Sequence, residues 1–346
     1  MEFGLSEDQV LLQETVRRLV ADRIPLDLIR QVAQDDAAAT AGLAEEIGAL
    51  ALDGILVPET EGGAGLGVLD AVLVQECFGY GVVPARFLSN SVAAFALRDA
   101  AGGLGAAIAS GQARFSLALN ERLSRRDGAG IRLADGNLTG RAMMVMDAAE
   151  ATHSLLWSDQ GLQVVAAPDA EPLQTIDRTR IFSKLEVDHE SLASIPDRAD
   201  MTFAVACVLL AADTLGAAQC MLDQAVAYAS ERKQFGRVIG SFQAVKHLCA
   251  EMAARLEPAR ALIWHAAHAI DTNDDEAIVM ACLAKAHLSE VGTFVARTST
   301  EVHGGMGFTD LVGLHYWFKR IGVNRQLLGS PMALRDLAAR HQDLVA

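Results

Sequence analysis

Paired cysteines are missing from this sequence: Cys77, Cys207, Cys220, Cys249 and Cys282 are scattered, and none forms a CxxC motif. With no signal-peptide pattern either, the chain is expected to be reduced and cytoplasmic. No uncharged apolar run reaches the roughly 20 residues that a bilayer requires, so no membrane association is expected. Positive charge is also short. Against 44 acidic residues stand 29 Lys and Arg, and the net charge of −15 argues against nucleic acid or an anionic membrane as partner. A small anionic ligand stays possible, because a few local basic residues suffice to cradle a phosphate. Aromatics make up only 5% of the chain while 51% is hydrophobic, with abundant alanine, a balance that favours a helix-rich globular protein. At roughly 150 residues per domain, 346 residues give two or three domains.

Taken in order, the first third reads as helical. Ser6-Glu7-Asp8-Gln9 has capping-box spacing, and Leu12, Val16, Leu19 and Val20 share a helical face. Leu43, Ile47 and Leu50 mark a second amphipathic stretch. Gly62, Gly63, Gly65 and Gly67 then form a loop ahead of a helix carrying Leu69, Val72, Leu73 and Cys77. GGAGLG resembles a dinucleotide fingerprint, but no βαβ unit surrounds it, and a turn between packed helices is the better reading. From about Arg114 the pattern changes to short β-like runs (FSLALN, GIRLA, NLTGRAMMVM, LLWS, LQVVAA, KLEVD), with Asp135-Gly136 as a hairpin turn. They suggest a small barrel or sandwich, and Ser124-Arg125-Arg126 reads as a solvated loop. The remainder reads as long helices, from about Arg198 to Gln234, from Ser241 to near Ile270 with a kink at Pro258, and from Asn273-Asp274-Asp275 to Val302. An antiparallel four-helix bundle follows. The expected fold is therefore mainly α with a small β domain: an N-terminal helical domain (1–112), a middle β domain (113–195) and a C-terminal bundle (196–346).

Two corners of the bundle stand out. In AVAYASERKQFGRVIGSFQ, a helix breaks at Phe235-Gly236 and restarts after Gly240-Ser241-Phe242, with glycine ending one helix and Ser241 capping the next. The break sets Arg232 beside free backbone amides, a setting suited to a phosphate, although such an arginine is more often a solvated charge. At the second corner, His303-Gly304-Gly305-Met306-Gly307-Phe308 exposes bare backbone on which a flat ligand could lie, or serves as an ordinary glycine cap. His265 and His268 sit one turn apart in WHAAHA without a third ligand in spacing, so no metal site is expected. Glu301 could touch a ligand or be solvated, Lys319 and Arg320 read as a structural helix-end pair, and LHYWFKR reads as packing around Trp317.

PETEGGAGLG, ERKQFGRVIGSFQAVKH and EVHGGMGF, in this domain order, resemble the acyl-CoA dehydrogenase family over nearly the whole chain. The resemblance is weaker in the β domain, where FSLALNERLSRR replaces the family's Thr-Glu-Pro-Gly flavin-contacting loop. It implies FAD at a subunit interface of a dimer or dimer of dimers, an acyl-CoA substrate, and an electron-transfer flavoprotein as acceptor. It also implies that Arg232 pairs with the FAD pyrophosphate, Phe235 packs near the adenosine and Gln243 hydrogen-bonds the cofactor. Gly304 and Gly305 would lie against an FAD bound mainly by a neighbouring subunit. A forked guanidinium and bare glycines suit those roles.

The family's reaction needs a carboxylate to take the α-proton while the flavin accepts the β-hydride. By the resemblance, its two usual positions fall on Leu328, before Gly329-Ser330, and on Ala206. Neither can take a proton. Three explanations stay open. The chain is one subunit of a heteromer, a dimer or heterotetramer with a related chain that carries the base, similar to bacterial subunit pairs that degrade steroid side chains or dicarboxyl-CoAs; the short chain and its ending favour this. Alternatively, Asp213 is a relocated base, seven residues from Ala206 and roughly 10 Å along the helix axis. Or the chain is a catalytically silent scaffold.

Overall fold

The computed structural model describes residues 4–40, 42–98, 103–123, 126–166 and 169–345. Six helices open the chain: α1 (Glu7–Arg23), α2 (Leu26–Ala33), α3 (Leu43–Ala49), α4 (Val68–Tyr80), α5 (Phe87–Ala96) and α6 (Leu104–Ala109). The expected capping box starts α1, with the Gln9 N–H donating to Ser6 Oγ (3.2 Å) and the Ser6 N–H to Gln9 Oε1 (3.1 Å). Val16 and Val20 face the core, with Leu12 and Leu19 packed at its margin. In the next amphipathic stretch Leu43 and Ile47 are buried, but Leu50 lies one residue past α3 and is exposed.

Eight strands follow: β1 (Phe115–Ala118), β2 (Gly130–Ala134), β3 (Asn137–Met146), β4 (His153–Ser158), β5 (Gly161–Ala166), β6 (Ala170–Leu173), β7 (Phe182–Glu190) and β8 (Ala193–Ile195). They form one mixed sheet in the order β6-β7-β3-β1-β4-β5-β8, with β2 added on β3. Among the described residues, only β1 and β4 pair in parallel. Asp135 and Gly136, both at positive φ, make the tight β2–β3 turn that the Asp-Gly pair announces. A small apolar cluster including Ile131, Leu138, Val145, Leu156 and Leu185 fills one side of the sheet, and its other side joins the main core.

The rest is a bundle of three long helices, α7 (Ala199–Glu231), α8 (Gln243–Asp271) and α9 (Ala277–His303), completed by α10 (Leu314–Asn324) and α11 (Pro331–His341). Pro258 lies inside α8, which continues through it. The α7–α8 junction differs from a simple helix break. Helix α7 stops at Glu231 with Arg232 extended, and a two-stranded hairpin of β9 (Lys233–Gln234) and β10 (Arg237–Val238) intervenes. Phe235 and Gly236, both at positive φ, form its tip, so this glycine is a hairpin turn and not a helix cap. Ser241 does not cap α8 either. Its hydroxyl donates to Val238 O (2.7 Å), and Phe242 holds the cap position without a side-chain bond.

Helix α7 is the axle of the molecule, packed against α4, α8, α9 and α10. Where it crosses α4 the backbones nearly touch. A Cβ on Gly216 would lie 1.9 Å from Glu76 O, and one on Gly79 would lie 2.1 Å from Asp213 O. Segments Pro196–Glu231 and Ala277–Phe308 are long and apolar enough by length and composition to cross a membrane, although neither holds an uncharged run of that length. Their apolarity reflects their place inside the protein: 94% and 61% of their most apolar windows are buried.

Candidate functional site: an open corner and a packed cleft

The structure gathers Arg232, Phe235, Gln243, Gly304 and Gly305 at one end of the bundle. The Tyr228 ring, one turn before Arg232, stacks on the His303 ring that precedes Gly304, at 4.6 Å between centroids. His303 is fixed in turn by a 2.8 Å hydrogen bond between Nδ1 and Ser299 O. The hairpin folds back onto α7 through the Ile239 N–H, which donates to Arg232 O (2.7 Å). Its tip residue Phe235 meets Phe242 edge-on, 6.1 Å away, beside Gln243 at the first turn of α8. All five residues are exposed, Phe235 to 91%. Among the described residues no hydrogen bond or ion pair engages the Arg232 side chain. Gly304 holds φ 57°, ψ −138°, a conformation that favours glycine, and a Cβ on Gly304 or Gly305 would meet nothing within 4 Å. A free guanidinium, an exposed ring and bare backbone share one surface, a combination that suits the phosphate and planar parts of a dinucleotide.

The region around Leu328 and Ala206 is the opposite, built from packed side chains. Both residues are buried, and Leu328 adopts φ 57°, unusual for a branched residue. Its N–H donates to Asn120 Oδ1 (2.8 Å), while the Asn120 amide donates to Met144 O (2.9 Å). Leu123 covers Gly329, where an added Cβ would meet it at 3.0 Å. Beneath the turn, the buried Lys285 ammonium donates to Gly329 O (3.0 Å), and burial lowers its pKa to about 8. Arg122 lies over the rings of Trp157 (4.7 Å) and Phe203 (4.2 Å) and pairs with Asp200 (2.6 Å). The neighbouring Glu121 accepts from the Met143 N–H (2.9 Å), and its pKa is raised by burial. Arg126 is half-buried, with one buried nitrogen that lacks a hydrogen-bond partner, so it departs from the expected solvated loop. Ser124 and Arg125 lie outside the described residues.

Asp213 stands apart from both places. It is fully buried, and Oδ1 accepts from Gln75 (2.8 Å), Arg180 (2.9 Å) and, more distantly, Arg320 (3.4 Å). Oδ2 accepts from Asn324 (2.6 Å). Burial alone would raise its pKa, but Arg180 and Arg320, with the Asn324 and Gln75 hydrogen bonds, together hold it below the usual carboxylate range. Arg320 is no helix-end charge. It is wholly buried within α10, where it also bonds Asp177 (2.8 Å) and Thr179 (2.6 Å). Trp317 packs as expected, its indole donating to Tyr80 O (2.7 Å). His265, His268 and Glu301 are exposed on α8 and α9, and no metal-holding group of His, Cys, Asp or Glu occurs among the described residues.

Comparison with known proteins agrees with this architecture. The family models for the acyl-CoA dehydrogenase N-terminal and C-terminal domains match residues 6–104 and 197–342. The chain therefore belongs to the acyl-CoA dehydrogenase family, whose cofactor is FAD. It is 33% identical over 330 residues to acyl-CoA dehydrogenase IpdE2 of Mycobacterium tuberculosis, covering 94% of each chain. Among solved structures it resembles the Tcur3481-Tcur3483 steroid ACAD G363A variant, at TM-score 0.87 and 26% identity, covering 97% of this chain and 98% of the other. It shares the fold of a chain of the ChsE4-ChsE5 complex from Mycobacterium tuberculosis, at TM-score 0.88 and 23% identity, with both chains fully covered.

Proposed function

We propose that this chain is one subunit of a heteromeric acyl-CoA dehydrogenase, in which a related chain supplies the proton-removing carboxylate. One observation carries the reading: Leu328 and Ala206 occupy the positions where the family resemblance places the base, and both are buried, apolar and enclosed by packing. Removal of an α-proton needs an acceptor within hydrogen-bond reach of that carbon, and neither side chain offers one. Asp213 is better read as a structural anchor, since its oxygens are taken up by four buried donors. The two relatives solved as paired chains, one of them called a steroid ACAD, favour a partner of the same family.

In this reading FAD, when bound, accepts the hydride from the β-carbon of a CoA thioester. This chain contributes the open corner. Arg232 would clamp the pyrophosphate, Gln243 would hydrogen-bond the cofactor, Phe235 would cover the adenosine, and Gly304-Gly305 would admit the cofactor close to the backbone. Electrons would pass to an electron-transfer flavoprotein, and the assembly would work in the cytoplasm.

The test is purification of the chain alone and together with a related chain that carries a carboxylate at the base position. The expected result is a yellow assembly that reduces an artificial electron acceptor with an acyl-CoA, and a chain that is inactive alone. Turnover by this chain alone would overturn the heteromer reading. A colourless, inactive protein in every assembly would leave the scaffold.

A further inference from the structure

The open corner has two lips, and they come from different helices. Arg232 follows the end of α7, while Gly304-Gly305 follows the end of α9. One ligand can touch both only if the two ends keep their register. Helices α7 and α9 run in parallel, and their contacts climb both together. A Cβ on Gly292 would lie 2.6 Å from Thr214 Cγ2, and seven positions further along each helix the Ser299 hydroxyl donates to Met221 O (2.7 Å). Higher still, Tyr228 and His303 stack with 26° between their planes, four positions before Arg232 and one before Gly304. The stack braces the two lips against each other.

His303 brings more to the brace than a ring. Its Nδ1 lies 2.8 Å from Ser299 O. A carbonyl only accepts, so Nδ1 carries the hydrogen, and Nε2 of the neutral ring keeps a lone pair for a second proton. Helix α7 brings Glu231 and Arg232 to this end of the bundle, α9 brings Arg297 and Glu301, and the first turns of α8 bring Lys246 and His247, all of them exposed. The Gly304–Phe308 turn adds no charge. Among the described residues no ion pair reaches the imidazole, whose pKa is lowered by burial and raised less by the Ser299 bond. His303 is therefore a buried base without a counter-ion of its own, one residue from a surface suited to a diphosphate. An anion seated there would favour the imidazolium, and imidazole changes its charge near neutral pH, as the Arg232 guanidinium does not.

We propose that His303 is a positioning residue of the corner, bracing Gly304-Gly305 against Arg232 through Tyr228, and that its Nε2 takes up a proton from solvent when the FAD diphosphate binds. The inference rests on the proposed function and deepens it by naming what regulates the site. By linkage, proton and cofactor each strengthen the binding of the other. FAD affinity therefore rises as pH falls, starting where the ring titrates in the complex and ending below where it titrates in the free protein.

The experiment is FAD binding by the deflavinated assembly at about pH 8 and about pH 5, a window in which the diester diphosphate of FAD keeps its charge. Wild type is expected to bind roughly three- to tenfold more tightly at the lower pH, the effect of a pKa shift of about half to one unit. His303→Phe keeps a ring against Tyr228 but takes no proton. It is expected to match wild type within about twofold at the higher pH and to lose the gain at the lower. His303→Ala removes the brace, and is expected to bind about three- to tenfold more weakly at the higher pH. Equal wild-type affinity at both pH values, or a gain that survives in His303→Phe, would overturn the proton uptake. His303→Ala that binds like wild type at the higher pH would overturn the brace. Calorimetry in buffers of different ionisation enthalpy counts the protons on wild type alone, so the proposal stays exposed if the variants do not assemble. Uptake of part of a proton on binding is expected, and none would overturn it. A wild-type assembly that binds no FAD at either pH would be a failure of the proposed function itself, and so is distinguishable from these outcomes.

Discussion

The two ends of helix α7 treat charge in opposite ways. At its C-terminal end Arg232 projects into solvent beside an exposed phenylalanine and bare glycines, with no hydrogen bond or ion pair to its side chain among the described residues. Along its buried length, Arg180 and Arg320 are matched with Asp213, Asp177, Asn324 and Thr179 in a closed network, and near its start Arg122 is laid over two rings. The difference separates folding from binding. A buried guanidinium must be compensated within the chain or it would oppose folding. One left exposed costs little stability, and it stays available to a ligand the chain itself does not contain.

The largest effect that would sharpen this contrast is at Asp213. Replacing it by Ala leaves the buried Arg180 and Arg320 short of a counter-charge. Loss of one member of such a buried pair costs about 3–5 kcal/mol. Urea denaturation should show that loss through the midpoint. A shift below about 1 kcal/mol would mean that water reaches the network and that Asp213 is less enclosed than its zero exposure implies.

A slightly smaller effect is expected at Lys285, under the Leu328-Gly329 turn. Its folded pKa of about 8 lies below the ordinary 10.5, so between those values the unfolded chain binds the extra proton. Stability contributed by this group is therefore lost as pH falls through about 8 and is regained as pH rises toward 10.5. Full regain across that window is on the order of 3 kcal/mol. Buried cysteines whose thiols are pushed up in pKa work in the opposite sense, so the quantity to measure is the difference between wild type and Lys285→Met in pH-dependent unfolding. If the two curves run parallel from neutral to alkaline pH, the ammonium is hydrated and the cleft is wetter than its packing suggests.

Most of the open corner was legible in the sequence, and the cleft was not, for a physical reason. The exposed residues of the corner sit at element ends, where glycine, turns and broken periodicity mark them. ERKQFG and HGGMG are visible because no packing argument explains them. The capping box at Ser6 and the Asp135-Gly136 turn were legible on the same local grounds. The hairpin at 233–238 was missed because two-residue strands are too short to carry a period. Buried polar groups are harder still. Arg320 looks like half of a surface pair with Lys319, and only the approach of α4, α10 and the β6–β7 connection around Asp213 shows otherwise. Arg122 carried one faint signal, its place in a loop that departs from the family's pattern. Its stacking partners, Trp157 and Phe203, lie 35 and 81 positions further along the chain, so only the tertiary fold brings them to it.

The smallest effect on stability should come from the residue with the largest role in the proposed binding. Arg232→Ala removes no contact among the described residues, so unfolding should shift by no more than about 0.5 kcal/mol. Flavin retention should respond very differently. A charge-assisted pair to phosphate contributes about 1.5–3 kcal/mol, which corresponds to roughly ten- to hundredfold weaker FAD binding by the assembly. Arg232→Lys should recover only part of that affinity, because an ammonium keeps the charge but loses the planar fork that meets two oxygens at once. Titrating FAD into the deflavinated assembly, with each variant in turn, reads the three affinities directly. If Arg232→Ala binds FAD as tightly as wild type while folding equally well, the free guanidinium is a solvated surface charge. The contrast between the two ends of α7 would then be one of exposure alone.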